Sequence, residues 1–301
     1  MHHEILRSGR PGELWFEING NRRRVPPQQR TLWSTNHLRL GCARNFVDLC
    51  RRNGSVHRPK RTGGLIFGTT DRIDVMTHPL THIKAIAIDL DGTLLDTIPD
   101  LCGAVNLTLA ELQLPELPLD LVKTFVGKGL MAHVGKSLRY AMGRDANDAE
   151  LAHALALYRL HYAEHIADRT TLYSGVIEGL AAFRARDFSL SVVTNKWTSY
   201  THQLLEHFRL ASFFDHVVCG DTLTTNKPDP GMMFYSAGRF GVHPREMLMI
   251  GDSGNDSRAA QAAGAPVVLM SYGYSEGENL ADLRANAIVS TFTDIPALLD
   301  L

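Results

Sequence analysis

The sequence predicts an α/β fold: a parallel sheet flanked by helices, with a small all-helical domain inserted after the first strand. Three observations predict it. Residues 83–93, Ile-Lys-Ala-Ile-Ala-Ile-Asp-Leu-Asp-Gly-Thr, are a short isoleucine-rich run that stops at two carboxylates and a glycine, the length of a buried parallel strand. Similar runs recur at 190–193, 217–219, 247–250 and 267–270, separated by segments of helical length and period, an alternation that means βαβ units. Between residue 94 and about residue 172 no strand signal appears, and stretches 99–114, 119–142 and 146–166 read as helices rich in Ala, Leu and His, with Pro115 and Pro118 marking one break.

At 301 residues, 44% hydrophobic and 21% charged, the chain can bury one large core or two modest ones. No apolar stretch approaches the roughly 18 residues of a membrane span, and the N-terminus lacks the apolar segment of a secretory signal. Cys42, Cys50, Cys102 and Cys219 show no Cys-x-x-Cys spacing, so neither a zinc site nor a disulfide framework is indicated. A soluble, cytoplasmic protein is expected, with no membrane contact; a homo-oligomer is compatible with the composition.

The net charge of −1 conceals a split. Residues 1–80 hold 14 Lys and Arg against 6 Asp and Glu, a balance of +8, which leaves −9 for the remainder. They include Arg22-Arg23-Arg24, Arg51-Arg52 and Arg58-Pro59-Lys60-Arg61, with no sustained period of 2 or 3.6; one short amphipathic helix fits 38–50. Residues 1–78 are read as a basic, disordered or non-native N-terminal extension, with Met76 a natural start for a compact domain. A basic arm that touches nucleic acid is the second reading, and a transit peptide is diluted by Glu4, Glu13 and Glu17. The expected organisation is this extension, a core of 79–97 and 172–301, and a helical cap of 98–171.

Chemistry-bearing residues collect where the strands end, the edge at which open α/β sheets bind ligands. Gly92 directly after Asp91 indicates a turn, so Asp89 and Asp91 can converge on one small volume, where like charges repel unless a cation neutralises them. An Asp-x-Asp-Gly also serves as a plain turn after a strand. Thr194 and Asn195 follow the second run and offer a hydroxyl and an amide to phosphate oxygens, or cap the next helix. Lys227 precedes two stiffening prolines in Asn226-Lys227-Pro228-Asp229-Pro230; such a lysine is usually a solvated surface charge, and a rigid backbone around it favours a fixed position facing an anion. Gly251-Asp252-Ser253-Gly254-Asn255-Asp256 adds two acids; Asp252 lies beside Asp89 if their strands are neighbours, and Asp256 suits a helix N-terminus.

This residue set in this order, Asp89-Leu-Asp91-Gly-Thr-Leu, Thr194-Asn195, Lys227-Pro228 and Gly251-Asp252-Ser-x-x-Asp256, resembles the haloacid dehalogenase superfamily of phosphatases over about residues 83–300. Within it, Phe125-Val126-Gly127-Lys128-Gly129 resembles the cap loop of phosphoglycolate phosphatases, and Ser271-Tyr272-Gly273-Tyr274-Ser275-Glu276-Gly277 their Tyr-Gly-Tyr-x-x-Gly loop. Lys128 replaces the usual asparagine of the cap loop, and Ser174 a common proline before Gly175. Gly135-Lys136-Ser137 is not a P-loop: its required first glycine falls on Leu130 and no strand precedes it.

The resemblance implies a Rossmann-like core under a helical cap, and a Mg²⁺-dependent phosphomonoesterase acting on a small phosphorylated metabolite, 2-phosphoglycolate. It implies that Asp89 attacks phosphorus to give an aspartyl-phosphate, that Asp91 acts as acid and then base, and that Asp89, the Asp91 carbonyl and Asp252 hold the metal. Lys227, Thr194, Asn195 and Gly92 would bind phosphate, Asp256 would orient Lys227 or a metal-bound water, and Lys128 is the cap-loop cation available to a substrate carboxylate. The alternatives are a related phosphatase for N-acetylmuramic acid 6-phosphate, a nucleotide or pyrophosphate; a phosphosugar mutase; and a basic-armed binding protein without catalysis.

Overall fold

In the computed structural model the described residues are 80–299 and three short strands near the N-terminus, β1 (Ile5–Arg7), β2 (Leu14–Ile18) and β3 (Asn21–Arg24). The chain divides into two compact units, residues 1–69 and 70–301. In the first, β1 to β3 pair antiparallel in sequence order. The absence of a sustained period predicts no strand there. Asn-Gly at 19–20 of the sequence, a dipeptide that favours tight hairpins, is the signal that reading passes over. The expectations for the rest of 1–79, including the helix at 38–50 and the extension as a whole, lie outside the described residues.

The second unit opens with β4 (Ala85–Ile88) and then β5 (Leu95–Asp96), followed by four helices, α1 (Ile98–Glu111), α2 (Leu119–Lys123), α3 (Leu130–Met142) and α4 (Asp148–Glu164), and by β6 (Thr171–Leu172). The chain then alternates α5 (Val176–Arg184), β7 (Ser189–Val193), α6 (Thr198–His207), β8 (His216–Val218), α7 (Gly231–Phe240), β9 (Met247–Gly251), α8 (Gly254–Ala263), β10 (Val267–Met270), β11 (Ala287–Val289) and α9 (Ile295–Leu298).

Six strands form one parallel sheet in the order β11-β10-β9-β4-β7-β8. β4 is central, and Ile88 pairs with Val192 on one side and Ile250 on the other, which brings three strand ends level. Alternate side chains enter opposite cores. Ile86, Ile88, Leu190, Val192, Leu248 and Ile250 pack with Leu180 and Phe183 of α5 and Leu204 of α6. Ala85, Ala87, Met247, Met249 and Leu269 pack with Met232 and Met233 of α7 and Ala259 and Ala260 of α8. With both faces covered, every residue of β4 is buried, and each fully buried isoleucine contributes about 1.5–3 kcal/mol.

Two expectations for the insert are corrected. Residues 94–172 do contain strands: β5 and β6 pair antiparallel, Leu95 with Leu172 and Asp96 with Thr171, as a ribbon at the base of the helices. Two-residue strands are too short to show a period. The helix expected over 119–142 is two helices, because Gly127 (φ 120°) and Gly129 (φ 81°) take left-handed conformations that end one helix before the next begins. α4 starts where expected, on a capping box in which Asn147 and Glu150 exchange 2.9 Å hydrogen bonds.

The insert is fastened at its base by one buried carboxylate. Asp100, in the first turn of α1, accepts from the Arg169 and Thr170 amides and from the Thr170 hydroxyl at 2.7–3.0 Å, which locks the chain leaving the core to the chain returning. Among the described residues no helix is long and apolar enough to cross a membrane.

Candidate active site

The end of β4 sets the site. The Asp89 amide donates to the Ile250 carbonyl at 2.9 Å, so Asp89 keeps strand register with β9 and stands beside Asp252, as the sequence expects of neighbouring strands. The chain then turns back on itself, with the amides of Leu94 and Leu95 donating to the Leu90 carbonyl at 3.0 Å. Gly92 (φ 86°) makes the turn where a side chain would be strained, and any Cβ there or on Gly273 would collide with the Asp252 carboxylate. Both glycines therefore cradle Asp252.

Asp89 and Asp91 have separate partners. Lys227 Nζ lies 3.0 Å from Asp89 Oδ1. The Asp91 carboxylate accepts from the Thr97 hydroxyl at 2.7 Å and from Lys196 Nζ at 2.9 and 3.2 Å. Lys227 Nζ also donates to Asp256 Oδ1 at 2.6 Å and to the Val193 carbonyl at 2.8 Å. The other oxygen of Asp256 accepts from Ser253 Oγ at 2.7 Å and from the amides of Ser253 and Asp252, so one buried carboxylate caps α8 and fixes the lysine at once. Asp252 Oδ1 accepts from the Thr93 hydroxyl at 3.0 Å and Oδ2 from the Tyr274 amide at 2.7 Å.

Burial makes this cluster costly. It raises the Asp89 carboxyl to about 7, with Asp256 and Asp91 adding to the shift and Lys227 opposing it. Burial, then Asp256 and Asp89, hold the Asp252 carboxyl well above the usual carboxylate range. For Lys227 burial works against the charge, and the carboxylates of Asp256 and Asp89 outweigh it and hold the ammonium above its ordinary value. Oxygens of Asp89, Asp252 and Asp256 lie within 4.8 Å of one another, an acidic group able to hold a metal ion. Four carboxylates facing two lysines leave a charge deficit that suits a hard divalent cation.

The other predicted residues fall into two groups. Thr194 lines the same cavity as Asp89, Asp91, Lys227 and Asp252. Asn195 lines it too, but its side chain is engaged by the protein: Nδ2 donates to the carbonyls of Gly127 and Lys227, both at 2.8 Å, and Oδ1 accepts from the Lys227 amide at 3.0 Å. The amide expected to face phosphate instead ties the cap loop to the lysine loop. Lys128 is exposed and lies outside the cavity lining; its charge acts on Glu278, a carboxyl held low chiefly by Arg258. Lys136 stands half-buried on α3, over the Phe125 ring.

The cavity encloses about 720 Å³ including its mouth, with Leu101, Val126, Leu130, His133, Tyr158 and Tyr162 of the insert facing the strand ends. Sequence reasoning passes over Lys196, His133 and both tyrosines. His133 carries a readable signal, because Leu130, Val134, Ser137 and Leu138 share its helix face and it lies on an apolar stripe. Burial first, then Lys196, lowers its imidazole to about 4, so it is neutral at pH 7. The loop 271–277 reaches the base of the insert: the Tyr274 hydroxyl accepts from the Thr97 and Ile98 amides at 2.7 and 3.0 Å, and the Tyr272 hydroxyl donates to the Thr93 carbonyl at 2.7 Å.

Comparison with known proteins places this geometry. A phosphoglycolate phosphatase of Nitrosospira multiformis is 43% identical over 217 residues, covering 72% of this chain and 96% of its own. One of Thiobacillus denitrificans is 41% identical over 212 residues, covering 70% and 93%. A crystal structure of a predicted phosphoglycolate phosphatase from Haemophilus somnus 129PT aligns with a TM-score of 0.70 at 32% identity, covering 72% of this chain and 98% of that one. The model of the haloacid dehalogenase-like hydrolases matches residues 86–270, from the first core strand through β10. That span carries the three acids and two lysines that line the cavity, and Asp256 behind them, and the chain belongs to the haloacid dehalogenase-like hydrolase family.

Proposed function

We propose that the chain is a Mg²⁺-dependent phosphatase that hydrolyses 2-phosphoglycolate to glycolate and phosphate through an aspartyl-phosphate on Asp89. The observation that carries the chemistry is the division of labour between two neighbouring carboxylates: Asp89 is buried against Lys227, and Asp91 is held at the cavity by Thr97 and Lys196. The substrate reading rests on the relatives at 43% and 41% identity.

Asp89 Oδ attacks phosphorus as the ester P–O bond breaks, and Asp91 gives its proton to the departing glycolate oxygen. Asp91 then takes a proton from water, whose oxygen attacks phosphorus and frees the Asp89 carboxylate and phosphate. Lys227 and the Thr194 hydroxyl steady the equatorial oxygens. Asp256 holds Lys227 in place, and Asn195 fixes the backbone on either side of it. Asp89, the Asp91 carbonyl and Asp252 would hold Mg²⁺, which when bound neutralises the carboxylates facing a phosphate dianion and polarises the phosphoryl group.

A phosphate-release assay over a panel of small esters, with and without Mg²⁺, tests this. The expected result is Mg²⁺-dependent release with 2-phosphoglycolate the best substrate. A higher kcat/KM for a sugar phosphate or a nucleotide refutes the substrate, and a need for a sugar bisphosphate activator points to a mutase instead.

A further inference from the structure

Lys196 is a cation with a place in the cavity and capacity left over. Its side chain is only 5% exposed, and its ammonium contacts both Asp91 oxygens and lies 4.7 Å from the Tyr162 ring centroid. An ammonium has three donors, so two contacts to Asp91 leave one for another anion. Opposite it the insert buries polar atoms without hydrogen-bond partners: both ring nitrogens of His133 and the hydroxyls of Tyr158 and Tyr162, on residues 1–4% exposed. All three residues line the cavity. Orphaned buried polar atoms are costly, and a ligand that satisfies them relieves that cost.

Resting on the phosphatase reading above, we infer that Lys196, with His133 and Tyr158 of the insert, receives a carboxylate on the leaving group, so that the site selects phosphate esters of small α-hydroxy acids.

Covalent geometry limits the class. In such an ester one carbon separates the ester oxygen from the carboxyl carbon, so the carboxylate lies immediately beside the atom that Asp91 protonates. Lys196 Nζ is in hydrogen-bond contact with Asp91 and is therefore beside the same place. Each further carbon moves the carboxylate away by about 1.5 Å of bond length. The neutral imidazole and the tyrosine hydroxyls add donors without a second full charge, which matches one carboxylate. Leu101, Val126 and Leu130 line the same cavity and offer nothing to the several hydroxyls of a sugar, each of which loses water on entry.

The test compares kcat/KM for 2-phosphoglycolate, 2-phospholactate and carboxylate-free 2-hydroxyethyl phosphate in the wild type, Lys196→Met and His133→Leu, with melting curves for folding. Loss of Asp91's partner lowers turnover of all three esters, so the readout is the ratio between carboxylated and carboxylate-free esters. Lys196→Met is expected to lower that ratio on the order of tenfold to hundredfold, and His133→Leu several-fold. Should Lys196→Met fail to fold, the ratio in His133→Leu decides. An unchanged ratio with 2-phosphoglycolate still preferred by the wild type overturns this inference and leaves the proposed substrate standing. A wild-type preference for 2-phospholactate that Lys196→Met erases supports the carboxylate site and refutes the 2-phosphoglycolate reading. No wild-type preference for either carboxylated ester overturns both.

Discussion

Lys227 Nζ lies 2.6 Å from Asp256 Oδ1, and both side chains are almost fully buried. The pair joins the loop after β8 to the first turn of α8 and aims the ammonium at Asp89, so the lysine is positioned before any phosphate arrives. Desolvating two charges is compensated only while both are present.

Asp256→Asn is therefore expected to destabilise the protein, though by less than the roughly 3–5 kcal/mol of a buried charge left with no partner, because Asp89 still faces Lys227, and to lower kcat through a misplaced Lys227. Denaturant unfolding and steady-state kinetics measure the two effects. A stable variant with wild-type kcat would mean that the pair neither holds the fold nor places the lysine.

Asp252→Asn is expected to raise the Mg²⁺ concentration for half-maximal activity, since a hard cation is held by few carboxylates and this one is cradled by Gly92 and Gly273. A Mg²⁺ titration of variant and wild type gives the two midpoints. Coincident midpoints would move the metal elsewhere.

The strand ends were legible in the sequence and the cavity wall was not. Asp89, Asp91 and Asp252 follow apolar runs and Lys227 precedes a rigid proline pair, local signals that survive without a fold. Lys196 follows Thr194-Asn195 in plain view, but only the pairing of β4 with β7 brings it to Asp91 across 105 residues. Asn195 reads equally well as a phosphate donor or a helix cap, and its actual partners, Gly127 and Lys227, come from two distant loops. A loop cation such as Lys128 is conspicuous in sequence, whereas its exposure is a property of the fold.

Lys128→Ala should accordingly change kcat/KM for 2-phosphoglycolate by less than about twofold, the scale of an ordinary surface substitution. Steady-state kinetics on purified variant and wild type measure it. A selective tenfold loss on carboxylated esters would return the carboxylate to the cap loop.

His133 makes stability pH-dependent. Its imidazole falls from 6.5 unfolded to about 4 folded, so the unfolded chain takes up the proton first as pH drops. The contribution is complete above pH 6.5 and is lost between there and pH 4, about 3 kcal/mol in all. Unfolding free energies from pH 7.5 to 4 should show a shallower decline in His133→Leu than in the wild type. Parallel curves would mean that the imidazole is protonated without cost in the folded state.

If Asp89 is the nucleophile, Asp89→Asn abolishes phosphate release from 2-phosphoglycolate at saturating Mg²⁺, and melting curves alongside show whether the fold survives. Burial and the neighbouring acids already push the Asp89 carboxyl up to about 7, so a neutral amide relieves repulsion and the melting temperature should hold or rise. The expected result is a folded protein with no detectable turnover. A folded variant that kept roughly a tenth of the wild-type rate, a barrier increase of only about 1.4 kcal/mol, would contradict it.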